Sequence, residues 1–146
     1  QVVTYCIRND IGTLIVGYNT TFQRSSDLGR RMNQVFVGIP FGILRRKLKY
    51  LCEMNGIRYV EQEESYTSMA SFWDLDEMPV YGEAGLVPPV FSGRRICRGL
   101  YQDRSGRRIN ADVNGALNIM RKCNIVSLRA LYARGDVDTP VRIRIA

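Results

Sequence analysis

An α/β fold built around one parallel strand–helix–strand unit is what this sequence predicts, and three stretches carry the prediction. "GTLIVGY", Gly12 to Tyr18, is a short β-branched apolar run between turn signals, the pattern of a strand buried on both faces. "IPFGILRRKLKYLCEMNG" follows with helical punctuation. "IRYVEQEE", Ile57 to Glu64, then reads as a second strand. Strands joined through a helix form a parallel crossover, so both end on one edge of the sheet. With 146 residues, 45% of them apolar, the chain suits one ordinary domain.

The elements follow in order. The chain opens with Gln1 and passes almost at once into the first strand, which suggests a chain that has lost its beginning. "NTTFQRSSDLGRRMNQ" reads as a loop or irregular connection. In the helix, Pro40 suits the first turn and Gly56 the position just past the end. Leu44, Leu48, Leu51 and Cys52 make an apolar stripe, with Arg45, Arg46 and Lys49 facing elsewhere. From Ser65 to Gly93 the chain is rich in turn residues, including Pro79, Pro88 and Pro89, and resembles an insertion rather than core. A basic segment, "SGRRICRGLYQDRSGRR", leads into a helix that begins near Asn110. "SLRALYARG" suggests a further helical turn or two, and "TPVRIRIA" a short strand or loose tail.

The formal charge of +7, with no histidine, points to an anionic partner such as nucleic acid. Arg94, Arg95, Arg98, Arg104, Arg107 and Arg108, with Tyr101 among them, are the candidates to track a phosphate backbone and stack a base. A solvated basic loop is the alternative. Cys6, Cys52, Cys97 and Cys123 stand singly, so no CxxC pair can be written, and they read as reduced core thiols of a cytoplasmic protein. No apolar run reaches the roughly 18 to 20 residues that span a bilayer, so no membrane partner is expected.

Two acidic positions draw the argument toward chemistry. At 100° per residue, Val113, Ala116, Leu117, Ile119 and Met120 share one arc of the last helix, and Asp112 falls inside it, opposite Asn114 and Asn118. A carboxylate aimed at a sheet needs compensation, from backbone N–H groups at the helix start or from a bound cation. Gly115 suggests a close approach of that helix to the sheet. Glu63 and Glu64 end the second strand, at the edge where open α/β sheets bind ligands, and strand alternation lets one of the two face a site. Hard oxygen donors without histidine or paired cysteine favour Mg²⁺ or Mn²⁺. Two such ions would support phosphodiester hydrolysis.

"LKYLCEMNGIRYVEQEESYTSMASFWDLD", "FSGRRICRGLY" and "INADVNGALNIMRK" resemble the C-terminal part of the TnpB (OrfB) proteins of insertion sequences. Those are RNA-guided DNA endonucleases with a RuvC-like, RNase H-fold nuclease domain, related to type V CRISPR effectors and to Fanzor proteins. The resemblance runs from about Val2 to Lys122. It implies a partial RNase H-like fold over residues 1–124, with an inserted loop at 66–108 in a degenerate zinc-ribbon position and a tail at 125–146.

By the same resemblance, Asp112 matches the last catalytic aspartate of the family. Gly17 stands where the family glutamate belongs, and Glu64 matches a glutamate relocated in Fanzor-like members, with Glu63 as the other candidate. A neighbouring strand end lies only ~4.8 Å away, within reach of the same metal. The first catalytic aspartate, in a "GIDLG"-like motif, has no counterpart here. Ser71 and Asp74 stand near the first cysteine pair of the ribbon and Cys97 is unpaired, so no structural zinc is expected. The function implied is the C-terminal fragment of an RNA-guided DNA endonuclease using Mg²⁺ or Mn²⁺, inactive alone, with DNA and guide RNA as partners; whether a separately encoded N-terminal half joins them is left open by the sequence. A nuclease-dead nucleic-acid-binding protein or a transposon remnant is the competing expectation.

Overall fold

Helix α1 (Val2–Arg8) opens the chain in a computed structural model whose described residues are 1–19, 40–81, 88–125 and 127–134. The sequence reading had no helix there. Val3 and Cys6, one turn apart, turn inward against Cys52 and Ile57. Strand β1 (Thr13–Tyr18) follows, then helix α2 (Phe41–Met54) and strand β2 (Arg58–Glu63). The two strands form a two-stranded parallel sheet. Their N-terminal ends are joined where the Arg58 N–H donates to the Gly12 carbonyl at 2.9 Å. The strand–helix–strand order read from the sequence is therefore present, as part of a mixed α/β structure. The expected connection after β1, from residue 20 on, and the "TPVRIRIA" tail lie outside the described residues.

Two expectations for this part need correction. β1 is half-buried along its whole length, not enclosed on both faces. On α2, Leu48 and Cys52 pack inward, whereas Leu44 and Leu51 are exposed. The helical angle explains it, since Leu44 and Leu51 stand about 80–100° away from the direction of Cys52. Arg45 stands within about 20° of Cys52. Its guanidinium donates to Glu61 at 3.1 Å and lies over the Tyr18 ring. The helix ends as its sequence indicates, with Gly56 at φ +68° just past Asn55.

Compactness divides the chain into Gln1–Glu61 and Gln62–Ala146, a division that falls within β2. In the second unit, residues 65–76 run as successive turns, followed by an antiparallel sheet of β3 (Arg94–Cys97), β4 (Leu100–Gln102) and β5 (Arg108–Asn110) in that order. Gly99 at φ +81° and Gly106 at φ +88° turn the chain between these strands. The register pairs Arg95 with Tyr101 and Cys97 with Leu100, which leaves Ile96 as a bulge. Tyr101 in turn pairs with Ile109, and β5 passes directly into helix α3 (Ala111–Cys123). A short helix, α4 (Arg129–Arg134), follows.

The core of this unit gathers Phe72, Tyr101, Ile109, Ala111, Leu117 and Leu128. The Phe72 and Tyr132 rings stack at 4.7 Å and 7°. The turn-rich stretch after Ser65, expected as peripheral, thus supplies core side chains. Cys6 and Cys52 are buried thiols, as expected, but Cys97 is exposed and Cys123 half-buried. No helix among the described residues is long and apolar enough to cross a membrane.

Candidate functional site

The segment from Glu64 to Asp76 has no ladder to satisfy its backbone, so its polar groups need partners from elsewhere. Helix α3 supplies them with two fully buried asparagines one turn apart. Asn114 Nδ2 donates to the Ala70 carbonyl at 2.9 Å, and its Oδ1 accepts from the Phe72 N–H at 3.1 Å. Asn118 Nδ2 donates to the carbonyls of Thr67 at 2.9 Å and Ala70 at 2.7 Å. Further along, Lys122 Nζ donates to Glu63 at 2.6 Å and to the Ser65 carbonyl at 3.3 Å. The helix is therefore zipped to the turn along one side.

This face is the one the apolar pattern assigned to solvent. Leu117 is buried as expected, but Ala116 is exposed, and Asp112 is exposed with it. A Cβ added to Gly115 would meet nothing within 4 Å, so the close approach expected there is absent. At the helix start the capping role falls to Asn110, whose Oδ1 accepts from the N–H groups of Asp112 at 2.9 Å and Val113 at 3.1 Å. Among the described residues the Asp112 carboxylate has no hydrogen-bond or ion-pair partner. It stands free at the N-terminal turn of an anchored helix.

The two glutamates at the end of β2 differ in kind. Glu63 Oε1 accepts from the Ser65 N–H at 2.6 Å and from its hydroxyl, while Oε2 takes Lys122. Burial pushes its carboxyl up, and the hydrogen bonds from Lys122 and Ser65 overcome that to hold it below the ordinary range. Both oxygens are engaged. Lys122 stands ten residues after Asp112, roughly 15 Å along the helix, so Glu63 is fixed at the opposite end of α3 from Asp112. Glu64 is half-buried and its carboxylate has no partner among the described residues. Burial, then the charge of Glu63, push its carboxyl up, the state a bound cation would reverse. Asp112 and Glu64 are thus hard-oxygen donors of the class that suits Mg²⁺. No group of three or more such side chains able to hold a metal ion occurs among the described residues. The donor type fits; the number is short of a closed site.

The basic residues divide as well. Arg94, Arg95 and Arg98 are exposed on or beside β3, with Arg104 and Arg108 exposed on the loop and strand that follow. Arg107 is also exposed but committed, with its guanidinium over the Trp73 ring at 4.5 Å and Nε 3.9 Å from Asp103. Tyr101 is 1% exposed and its hydroxyl donates to the Met69 carbonyl at 2.8 Å. Burial, followed by the charges of Asp76, Asp74 and Asp103, pushes that hydroxyl up to about 12. The ring belongs to the core, which removes it from the surface on which a base could stack.

Where the resemblance would place paired cysteines, carboxylates fasten the chain. Asp76 Oδ2 accepts from the N–H groups of Ser71 at 2.8 Å and Ser92 at 2.9 Å, and Asp74 Oδ2 from that of Arg104 at 3.0 Å. Asp103 Oδ1 accepts from the Arg107 N–H and the Ser105 hydroxyl, both at 2.8 Å. The sequence reading named Asp74, Asn114 and Asn118 but missed the anchoring role of all of these side chains. For the aspartates a signal was present, because Asp in turn-rich sequence marks side-chain-to-backbone bonding.

Comparison with known proteins now adds a finding. The model of the family described as Cas12f1-like, TNB domain, matches residues 41–119, more than half of the chain. The match takes in α2, both glutamates, the anchored turn, the basic hairpin and most of α3. No curated protein matches the sequence.

Proposed function

Because the chain belongs to the Cas12f1-like, TNB domain family, a kind related to TnpB and Cas12 nucleases, we propose that it is the C-terminal part of a transposon-encoded, RNA-guided DNA endonuclease. In this reading the strand–helix–strand unit and α3 are pieces of an RNase H-like, RuvC-type nuclease fold. Asp112 and Glu64 are ligands for Mg²⁺ or Mn²⁺, and guide RNA and DNA are the partners. One observation supports the assignment of Asp112: Asn110 caps α3, which leaves an exposed carboxylate with no hydrogen-bond or ion-pair partner among the described residues on a helix anchored by Asn114, Asn118 and Lys122.

The residues' own roles follow from chemistry. The cation, when bound, activates water and stabilises the leaving oxygen in phosphodiester hydrolysis. Asp112 and Glu64 would each offer one carboxylate to such ions from opposite ends of α3, since Glu64 adjoins Glu63 beside Lys122, and the exposed arginines of β3 would hold phosphates by charge. Two carboxylates do not complete such a centre, so a further acid must come from the segment or chain that supplies the "GIDLG"-like motif. The chain is therefore inactive alone. Gly17, in place of the family glutamate, gives weight to a second reading in which nucleic acid is bound but not cut.

The test is Mg²⁺-dependent cleavage of single-stranded DNA by the chain alone and joined to the N-terminal portion of a TnpB protein. Cleavage by the joined protein only, abolished by Asp112→Ala and by Glu64→Ala, is the expected result. Cleavage that survives Asp112→Ala would refute the assignment. DNA binding without cleavage in either form would establish the second reading.

A further inference from the structure

Three aromatic rings meet on the surface of the second unit, away from its core. Tyr66 and Tyr81 are stacked, with centroids 5.8 Å apart and planes at 27°. Phe91 lies 5.7 Å from Tyr66 at 42°. Tyr81 is 70% exposed, so most of its ring is open to an incoming group. Clustered aromatic rings that reach the surface are a feature of binding surfaces.

Each ring is held by the backbone beside it. Tyr66 sits at φ +62°, a conformation that bulky side chains rarely adopt and that persists only where the surroundings impose it. Here they do, since its carbonyl accepts from Met69 and Ala70, both at 2.9 Å, within the turn that Asn118 clamps. The Tyr81 N–H donates to the Ser65 hydroxyl at 3.2 Å, one residue from Tyr66. Phe91 is fixed through its neighbour Ser92, whose N–H donates to Asp76 at 2.9 Å. Next along the chain, a Cβ on Gly93 would lie 2.6 Å from the Tyr101 ring and from the Gln102 carbonyl. The chain thus passes hard against β4 between Phe91 and the exposed Arg94 and Arg95. Rings and arginines are joined by two tightly held residues.

We propose that Tyr66, Tyr81 and Phe91 form a preorganised stacking platform for an unpaired nucleobase, with one of the successive arginines Arg94 and Arg95, which strand alternation turns to opposite faces, holding a flanking phosphate. Charge selects the occupant: the chain carries +7, and the strand next to the platform is exposed and basic, which suits a polyanion bearing flat apolar rings. Stacking of this kind is indifferent to sequence, because every base has a π-face. The platform replaces Tyr101 as the base-contacting group and rests on the nucleic-acid reading given above.

The experiment compares binding of an oligothymidylate with that of an abasic oligonucleotide of equal length, for the native chain, Tyr81→Ala and Tyr81→Trp. Tyr81 is exposed, so the variants keep the fold. The expected result is that Tyr81→Ala weakens oligothymidylate binding about tenfold, leaves abasic binding unchanged, and that Tyr81→Trp retains native affinity for the base-containing strand. An equal effect of Tyr81→Ala on both strands, or no effect on either, overturns the platform while leaving phosphate binding standing. Failure of the native chain to bind either strand overturns the nucleic-acid reading itself, and the platform with it.

Discussion

The first unit is held by a small apolar cluster, the second by buried polar side chains that serve an irregular backbone. In the first, Val3, Cys6, Cys52 and Ile57 pack among elements whose backbone groups are paired within the helices or between β1 and β2. In the second, Asn114 and Asn118 are fully buried and their side-chain hydrogen bonds go to backbone atoms of residues 67–72. Regular elements satisfy themselves and need only apolar surface to dock; a turn-built segment must import donors and acceptors. The difference teaches where a mutation should hurt.

The largest effect should come from Asn114→Leu. It leaves the buried Phe72 N–H without an acceptor and takes a donor from the Ala70 carbonyl, a loss of about 3 kcal/mol. Urea unfolding followed by Trp73 fluorescence reads it. A variant as stable as the native chain would mean the second unit is held by apolar packing after all. In the first unit, Ile57→Val should cost only about 1 kcal/mol, read by the loss of helical circular dichroism.

Acidity sharpens the same contrast within one dipeptide. The Glu63 carboxyl is held below its ordinary value of 4.5, so its contribution to stability is present above about that pH and is lost as the pH falls through the lower, folded value. The melting-temperature gap between the native chain and Glu63→Gln should therefore be widest near neutrality and close in acid. Glu64, pushed up by burial and by Glu63, has the opposite sign: Glu64→Gln should raise the melting temperature at neutral pH. A gap that widens in acid for Glu63→Gln would remove Lys122 as its partner. The smallest effect belongs to the surface pair of Arg45 and Glu61, whose side chains are about a third exposed. Glu61→Gln should change stability by less than about 0.5 kcal/mol.

Strand β1 and helix α2 of the first unit were legible from their residue patterns, whereas the seven-residue α1 was not. "GTLIVGY" and the Pro40-to-Gly56 stretch carry strand and helix signals that survive in the structure. The β3–β5 sheet was not legible, since its strands are three or four residues long and β3 is exposed throughout. No alternation can register over such lengths. Gly99 and Gly106 were the available signals. The facing of α3 failed for another reason: amphipathic reasoning puts asparagines outside, and it cannot know that a neighbouring turn needs their amides. Asp112 was picked out correctly as a helix-start carboxylate, yet the inward placement argued for it was wrong, and its exposure is what frees it for a ligand. Glu63 and Glu64, indistinguishable by sequence, are separated by Lys122, which lies 59 positions from Glu63.

The measurement that tests the nucleic-acid reading most directly is the salt dependence of single-stranded DNA binding by the native chain and by an Arg94→Gln, Arg95→Gln, Arg98→Gln variant. Each phosphate neutralised contributes about 0.7 to the slope of log affinity against log salt. Loss of the three exposed arginines should lower that slope by roughly 2 while the melting temperature holds. An unchanged slope would show that the basic hairpin does not touch the backbone, and would contradict the account at its centre.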